Sequence, residues 1–118
     1  MNGHNVLHWI YRAGREHHDP GAGETIRINK DLQVCEMVSS GAEARTLANP
    51  TKLGIRLTLR LKTDGGDVTV TASNGLNVAG NTQAVFADVG DQLELVSVSH
   101  TTGYRWEILV NTGSVALS

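Results

Sequence analysis

Histidine is the reactive residue type most concentrated in one part of this 118-residue chain: His4, His8, His17 and His18 all fall in the first 18 positions, and only His100 lies elsewhere. His4 and His8 stand four apart, so on a helix they could share a metal ion. No Glu sits beside them, no Cys is near and the segment is glycine-containing, so solvated or interface histidines are the reading and no metal site is expected. Asp64, Asp67, Asp88 and Asp91 form two i,i+3 pairs around glycines. That is what β-turn chemistry asks for, since Asp side chains cap the N–H groups of turns. A calcium site needs six to eight oxygens, and no EF-hand spacing supplies them. Glycoside hydrolysis requires two carboxylates facing across a cleft, and almost every acid here falls in a turn or on a solvated strand face, so no pair is nominated. Ser, His and Asp all occur, but no G-x-S-x-G elbow does. Gly21-Ala22-Gly23 lacks the following glycine and the preceding strand of a dinucleotide loop. No catalytic set, cofactor or metal is therefore expected, and the chain is not read as an enzyme.

Other side chains offer contact rather than catalysis. Arg56, Arg60 and Lys62 form a basic stripe on one strand face. Such a stripe is a solvated face, an edge protected by charge, or an ion-pair surface toward another subunit or a larger assembly. Tyr104 and Trp106 share a face with Ile108 and Val110, which favours core aromatics over a sugar-stacking platform; carbohydrate binding stays possible without being favoured. Cys35, the single cysteine, excludes an intrachain disulfide and reads as a small buried hydrophobe. The net charge is −2, and residues 1–50 and 51–118 each hold five Lys/Arg and six Asp/Glu. No basic field for nucleic acid and no charged tail results. No apolar run approaches the ~20 residues of a membrane helix, and Met1–His4 lacks the charged and apolar regions of a signal peptide. A soluble protein made in the cytoplasm is expected.

The elements that must carry these residues are short strands. Ile55, Leu57, Leu59 and Leu61 alternate with Arg56, Thr58, Arg60 and Lys62, a period of 2 with one face buried. The pattern recurs at Val68 and Val70, at Leu93 and Leu95, and at Tyr104–Val110. Thr25–Ile28 and Leu32–Val38, joined by Asn29-Lys30-Asp31, read as a hairpin. So do Leu53–Thr63 and Val68–Ala72 around Asp64-Gly65-Gly66-Asp67, while Leu76–Ala79 reads as a further short strand. Thr101-Thr102-Gly103 closes a long hairpin into Tyr104–Asn111. In Gln92–Val98 the apolar face switches, since Leu93 and Leu95 have one parity and Val96 and Val98 the other. Ile108, Leu109 and Val110 are consecutively apolar. Either a bulge shifts the register or both faces of this hairpin are covered. Turns every 8–12 residues point to an all-β fold, a compact antiparallel β-sandwich or barrel. Residues 24–118 form this single β domain. Residues 1–23, ending in the breaker Asp19-Pro20-Gly21-Ala22-Gly23, form an N-terminal arm, extended or a short helix capped by Asn5. Val6, Leu7, Trp9, Ile10 and Tyr11 give it an apolar-aromatic character, so it needs a surface to pack against.

Several stretches in residues 45–118 look like a known group. They are Arg45-Thr46-Leu47-Ala48-Asn49-Pro50-Thr51, Thr63-Asp64-Gly65-Gly66-Asp67-Val68-Thr69-Val70-Thr71-Ala72, Asn74-Gly75-Leu76-Asn77, Phe86-Ala87-Asp88-Val89-Gly90-Asp91 and Tyr104-Arg105-Trp106. Their order resembles small β-rich virion proteins of tailed phages and prophages, found as head decoration (cement) proteins and as fibre or spike parts. The resemblance implies a structural protein, a homotrimer on the outer surface of a capsid that contacts the major capsid protein; from the charge balance and the lack of a long apolar run, neither nucleic acid nor membrane is an expected partner. A tail-fibre, receptor-binding or carbohydrate-binding β module is the alternative. Val6, Leu7, Trp9, Ile10, Tyr11, Arg56 and Arg60 are the expected partner contacts.

Overall fold

The computed structural model describes residues 19–118. They contain nine strands and no helix: β1 (Thr25–Ile26), β2 (Leu32–Val38), β3 (Glu43–Leu47), β4 (Arg56–Thr63), β5 (Val68–Thr71), β6 (Gln83–Phe86), β7 (Gln92–His100), β8 (Gly103–Thr112) and β9 (Ala116–Leu117). Two sheets stack into a sandwich, one in the order β1-β3-β5-β6-β9 and the other β2-β4-β7-β8. The all-β sandwich matches the alternation in the sequence. The helical or extended form expected for the arm concerns residues 1–18, which lie outside the described residues.

The sheets are mixed rather than antiparallel. β1 pairs with β3, β3 with β5 and β2 with β4, all in parallel. The reason is a zigzag. From β1 to β5 the chain changes sheet at every turn and reverses direction each time, so strands two apart in sequence run the same way within one sheet. Two expected hairpins are therefore arches. The turn at Asn29-Lys30-Asp31 joins β1 and β2 across the core, and Asp64–Asp67 joins β4 to β5 in the opposite sheet. Leu76–Ala79 belongs to a loop, not a strand. The β7–β8 hairpin is as expected.

The core fills the space between the sheets. Leu57, Leu59 and Leu61 of β4 and Leu93 and Leu95 of β7 face Ile26, Leu47, Val70 and Phe86 of the other sheet, all at most 1% exposed. Each such side chain contributes on the order of 1.5–3 kcal/mol by leaving water. Trp106 is fully buried, and its indole N–H donates to Ala48 O at 3.0 Å, tying β8 to the chain just after β3. Cys35 is equally buried, and burial pushes its thiol up to about 12. Trp106 and Cys35 are thus core residues, as the sequence suggested.

The irregular hairpin contains both a bulge and an outward apolar face. Glu94 pairs with Val110 and Leu95 with Ile108, which leaves Leu109 as the extra residue. The bulge lies in β8 and accounts for the run Ile108–Val110. It does not account for Val96 and Val98. In β7 the inward parity continues through Leu93, Leu95 and Ser97. Ser97 Oγ accepts from Ile55 N–H and donates to Lys52 O, both at 2.7 Å. A buried serine satisfies the loop before β4, and the two valines beside it face outward.

Candidate attachment site

The strand directions place the turns 39–42, 64–67 and 87–91 at one end of the sandwich, the arch end. Asp19, where the described chain begins, sits there. The alternation of β3 puts Arg45 on the inward parity with Leu47. An arginine in that position must be partnered, and it is. Its Nε and Nη2 grip the Asp19 carboxylate at 2.7 and 3.0 Å, Nη1 reaches Glu43 Oε1 at 3.2 Å, and Nη2 also donates to Val38 O at 3.1 Å. The Arg45 side chain is fully buried and that of Asp19 is 17% exposed. The Asp19 carboxylate further accepts from Val38 N–H at 2.8 Å and Gly21 N–H at 3.1 Å. Glu43 Oε2 accepts from the Ser40 N–H and hydroxyl.

The electrostatics follow from this arrangement. Burial would raise the Asp19 carboxyl, but the Arg45 guanidinium and the two N–H groups outweigh it and hold the acid below its ordinary value. Burial likewise works against the Arg45 cation, and the Asp19 and Glu43 carboxylates overcome it and raise its pKa. The Ser40 N–H does most to lower Glu43, with the Ser40 hydroxyl and Arg45 adding to it. Asp19 thus accepts from four donors, and Gly23 N–H donates to Ala44 O at 2.7 Å just beyond it. The effect is a rigid root for the preceding segment. The sequence reading placed Asp19 in a linker and missed this cluster. The available signal was a charged residue at a core-parity position of β3.

Beside the root lies the outer face of the four-stranded sheet. Arg56, Arg60 and Lys62 all point outward from β4. β4 is internal to the sheet, between β2 and β7, so the stripe is a solvated face and not an edge. Arg60 Nη1 meets Glu36 Oε2 at 3.3 Å across the β2–β4 pair, while Arg56 has no ion pair among the described residues. Arg56 stands between the outward Leu32 and Val96, with Glu107 beyond on β8. Leu32, Val38, Leu109 and Val110 are each between 43 and 57% exposed. Arg56 and Arg60 therefore share one face, whereas Val6, Leu7, Trp9, Ile10 and Tyr11 lie outside the described residues, as do His4, His8, His17 and His18. Two of the four aspartates act as turn caps: Asp64 Oδ1 accepts from Gly66 N–H, and Asp91 Oδ2 accepts from the N–H groups of Ala87 and Asp88. Among the described residues no three His, Cys, Asp or Glu side chains gather in a way that could hold a metal.

The opposite end carries an open cleft of about 460 Å³. One wall is the loop from Asn74 to Gly80, the other the tip of the β7–β8 hairpin at Ser99–Thr101, and Arg105 lies between them. The loop is sewn to the outer edge of β8: Asn74 Nδ2 donates to Tyr104 O at 2.8 Å and Trp106 N–H to Gly75 O at 3.3 Å. Asn77 and Asn81 clamp it through two further bonds. His100, half-buried, lines this cleft. No protein-family model matches the chain, and no curated protein matches it.

Proposed function

We propose that this protein is a structural component of a phage particle, a capsid decoration (cement) protein that sits on the head as a homotrimer and contacts the major capsid protein. The observation that carries this reading is the fixed root at Asp19. An apolar-aromatic segment is useful as an attachment strap only if its base is rigid, because binding energy at its tip must be transmitted to the domain without loss to chain entropy. The buried Asp19–Arg45–Glu43 cluster supplies such a base. Val6, Leu7, Trp9, Ile10 and Tyr11 supply the strap. The adjacent outer face, with Arg56, Arg60 and half-exposed aliphatics, supplies a broad surface of the mixed polar and apolar kind found in protein interfaces.

The test is a truncation that removes residues 1–17 and keeps Asp19. The sandwich should remain folded, and the shortened protein should fail to bind capsids in a sedimentation assay. Full occupancy by the truncated chain would overturn the strap. Light scattering coupled to gel filtration addresses assembly, with three copies as the expected mass. Images of intact particles separate the head from the tail-fibre alternative: density at three-fold or quasi-three-fold positions of the head supports decoration, and density confined to the tail tip supports the alternative.

A further inference from the structure

We propose that Asn74 is a self-modifying site: when the Asn74–Gly80 loop opens, the Gly75 nitrogen attacks the Asn74 side-chain amide, and the acid that results can no longer hold the edge of β8. The dipeptide is the first observation. Asn74 is followed by Gly75, and glycine leaves its backbone nitrogen unhindered because it carries no Cβ. The step forms a bond between Gly75 N and Asn74 Cγ and breaks the bond from Cγ to Nδ2. The proton of the Gly75 N–H leaves with the Nδ2 group as ammonia, and a cyclic imide remains. Water then opens the imide at either carbonyl. One opening gives aspartate, the other its isomer, in which the chain runs through the side-chain carbonyl.

The fold imposes this pair and restrains it. Gly75 has φ +105°, which L side chains rarely adopt, so the turn takes glycine there. Asn74 Nδ2 donates to Tyr104 O at 2.8 Å, so the neighbouring position needs a side-chain donor. That bond also holds the leaving nitrogen. Gly75 is buried, and its N–H, the nucleophile, donates to Ala72 O at 3.0 Å. Asn74 N–H donates to Asn49 Oδ1 at 3.1 Å, and Asn49 Nδ2 to Ser73 Oγ at 2.8 Å, which fixes the residue from the other side. The reaction therefore waits for a local opening, and its rate reports how often the loop leaves β8.

The same bonds give the modification its consequence. β8 is an edge strand of its sheet. Its Tyr104 O and Trp106 N–H are covered by Asn74 Nδ2 and Gly75 O, the latter at 3.3 Å. An ionised aspartate has no N–H to donate and would set acceptors against the Tyr104 carbonyl. The isomer also adds a methylene to the backbone and displaces Gly75 O from Trp106 N–H. Either product uncovers this part of the edge, and an uncovered edge is a template for pairing. The loop and the Asp19 root occupy opposite ends, so this inference stands independently of the decoration reading.

The experiment follows conversion of the Asn74 amide to the acid by peptide mass spectrometry, in mildly alkaline buffer, for the full chain folded and in urea. The folded parent should convert at least about tenfold more slowly than the chain in urea. Asn77→Ala, which removes the clamp to Asn81, should speed conversion of the folded protein at least about threefold and leave the urea rate unchanged. Val78→Asp, at an 86% exposed position of the same loop, is the control and should stay within about twofold of the folded parent. In the converted protein and in Asn74→Asp, hydrogen exchange at the Trp106 N–H should be at least about tenfold faster, while Glu43 at the arch end keeps its protection. The inference is overturned by a folded rate equal to the urea rate, by no conversion in urea, by an Asn77→Ala rate equal to that of the parent or matched by Val78→Asp, or by undiminished protection of Trp106 after conversion.

Discussion

The two ends of the sandwich are made of turn-forming residues, glycine and serine at both, with aspartate in the arch turns and asparagine in the cleft loop, and they do opposite things with them. At the arch end, the β2–β3 turn lies directly on the β4–β5 turn. Ser39 N–H donates to Thr63 O, Glu43 N–H to Asp67 O, and Ser39 Oγ to Gly66 O at 2.7 Å. The parallel ladders of the two sheets are thereby carried round the bend. Gly65 and Gly66 are needed for space: a Cβ on Gly66 would come within 2.5 Å of the Ala42 nitrogen, and one on Gly65 within 2.7 Å of Ser40 Cα. At the cleft end, Gly80 has φ +90° and open space around it, so glycine there serves backbone conformation alone. Stacked backbones close one end and give the Asp19 root something rigid to hold. Side-chain clamps on separate loops leave the other end open and give it a concavity.

Gly66→Ala is the hardest blow to this contrast, because backbone and not a flexible side chain blocks the new methyl. A loss of about 3 kcal/mol in urea unfolding is expected, against about 1 kcal/mol for Gly80→Ala, which meets only unfavourable φ. Equal losses at the two sites would break the distinction.

Asp19→Asn comes next. It keeps the shape and removes the charge that faces Arg45, for an expected loss of about 1–2 kcal/mol at neutral pH. The dependence on pH is more telling. The Asp19 carboxyl in the folded protein is held below its ordinary value of 3.8. Its contribution is therefore complete above that value and disappears as pH falls through the lower, folded-state value. The parent protein should lose stability from about pH 4 downward, and the variant should lose less over the same range. Glu43 is lowered too, so the acid limb should flatten without vanishing. Urea melts at neutral and acid pH decide the matter; superimposable limbs would remove Asp19 from the acid response.

Asn77→Ala sharpens the comparison at the cleft end. Loss of its two bonds to Asn81 should cost about 1 kcal/mol and speed hydrogen exchange at residues 74–81 while Ser39 and Glu43 at the arch end keep their protection. Faster exchange at both ends would mean that they are not independent units. The smallest effect is expected for Val78→Asp, whose stability should stay within about 0.5 kcal/mol of the parent.

Much of the sandwich was legible residue by residue. The alternation from Arg56 to Thr63 gave β4 and its inward leucines, and the aliphatic company of Trp106 placed it in the core. Asp64 and Asp91 cap turns as their spacing with glycine implied. Ser97 was not legible: a polar residue sits inside and its valine neighbours outside, because a distant loop at Lys52–Ile55 needed the hydroxyl. Of the expected contacts, Arg56 and Arg60 do share a face. The Asp19–Arg45 root and the cleft were missed, since each joins residues more than 20 positions apart.

The sequence by itself determined where most of the strands lie and which side of most of them is buried, because the side-chain period of 2 is a local property of an extended backbone. Only the tertiary structure decided which strands pair. A short Asp-Gly-rich turn serves an arch as well as a hairpin, and the two differ in whether successive strands share hydrogen bonds or face each other across the core. That choice belongs to the whole set of strands competing for partners, and here it produced parallel ladders, stacked turns at one end and an open cleft at the other.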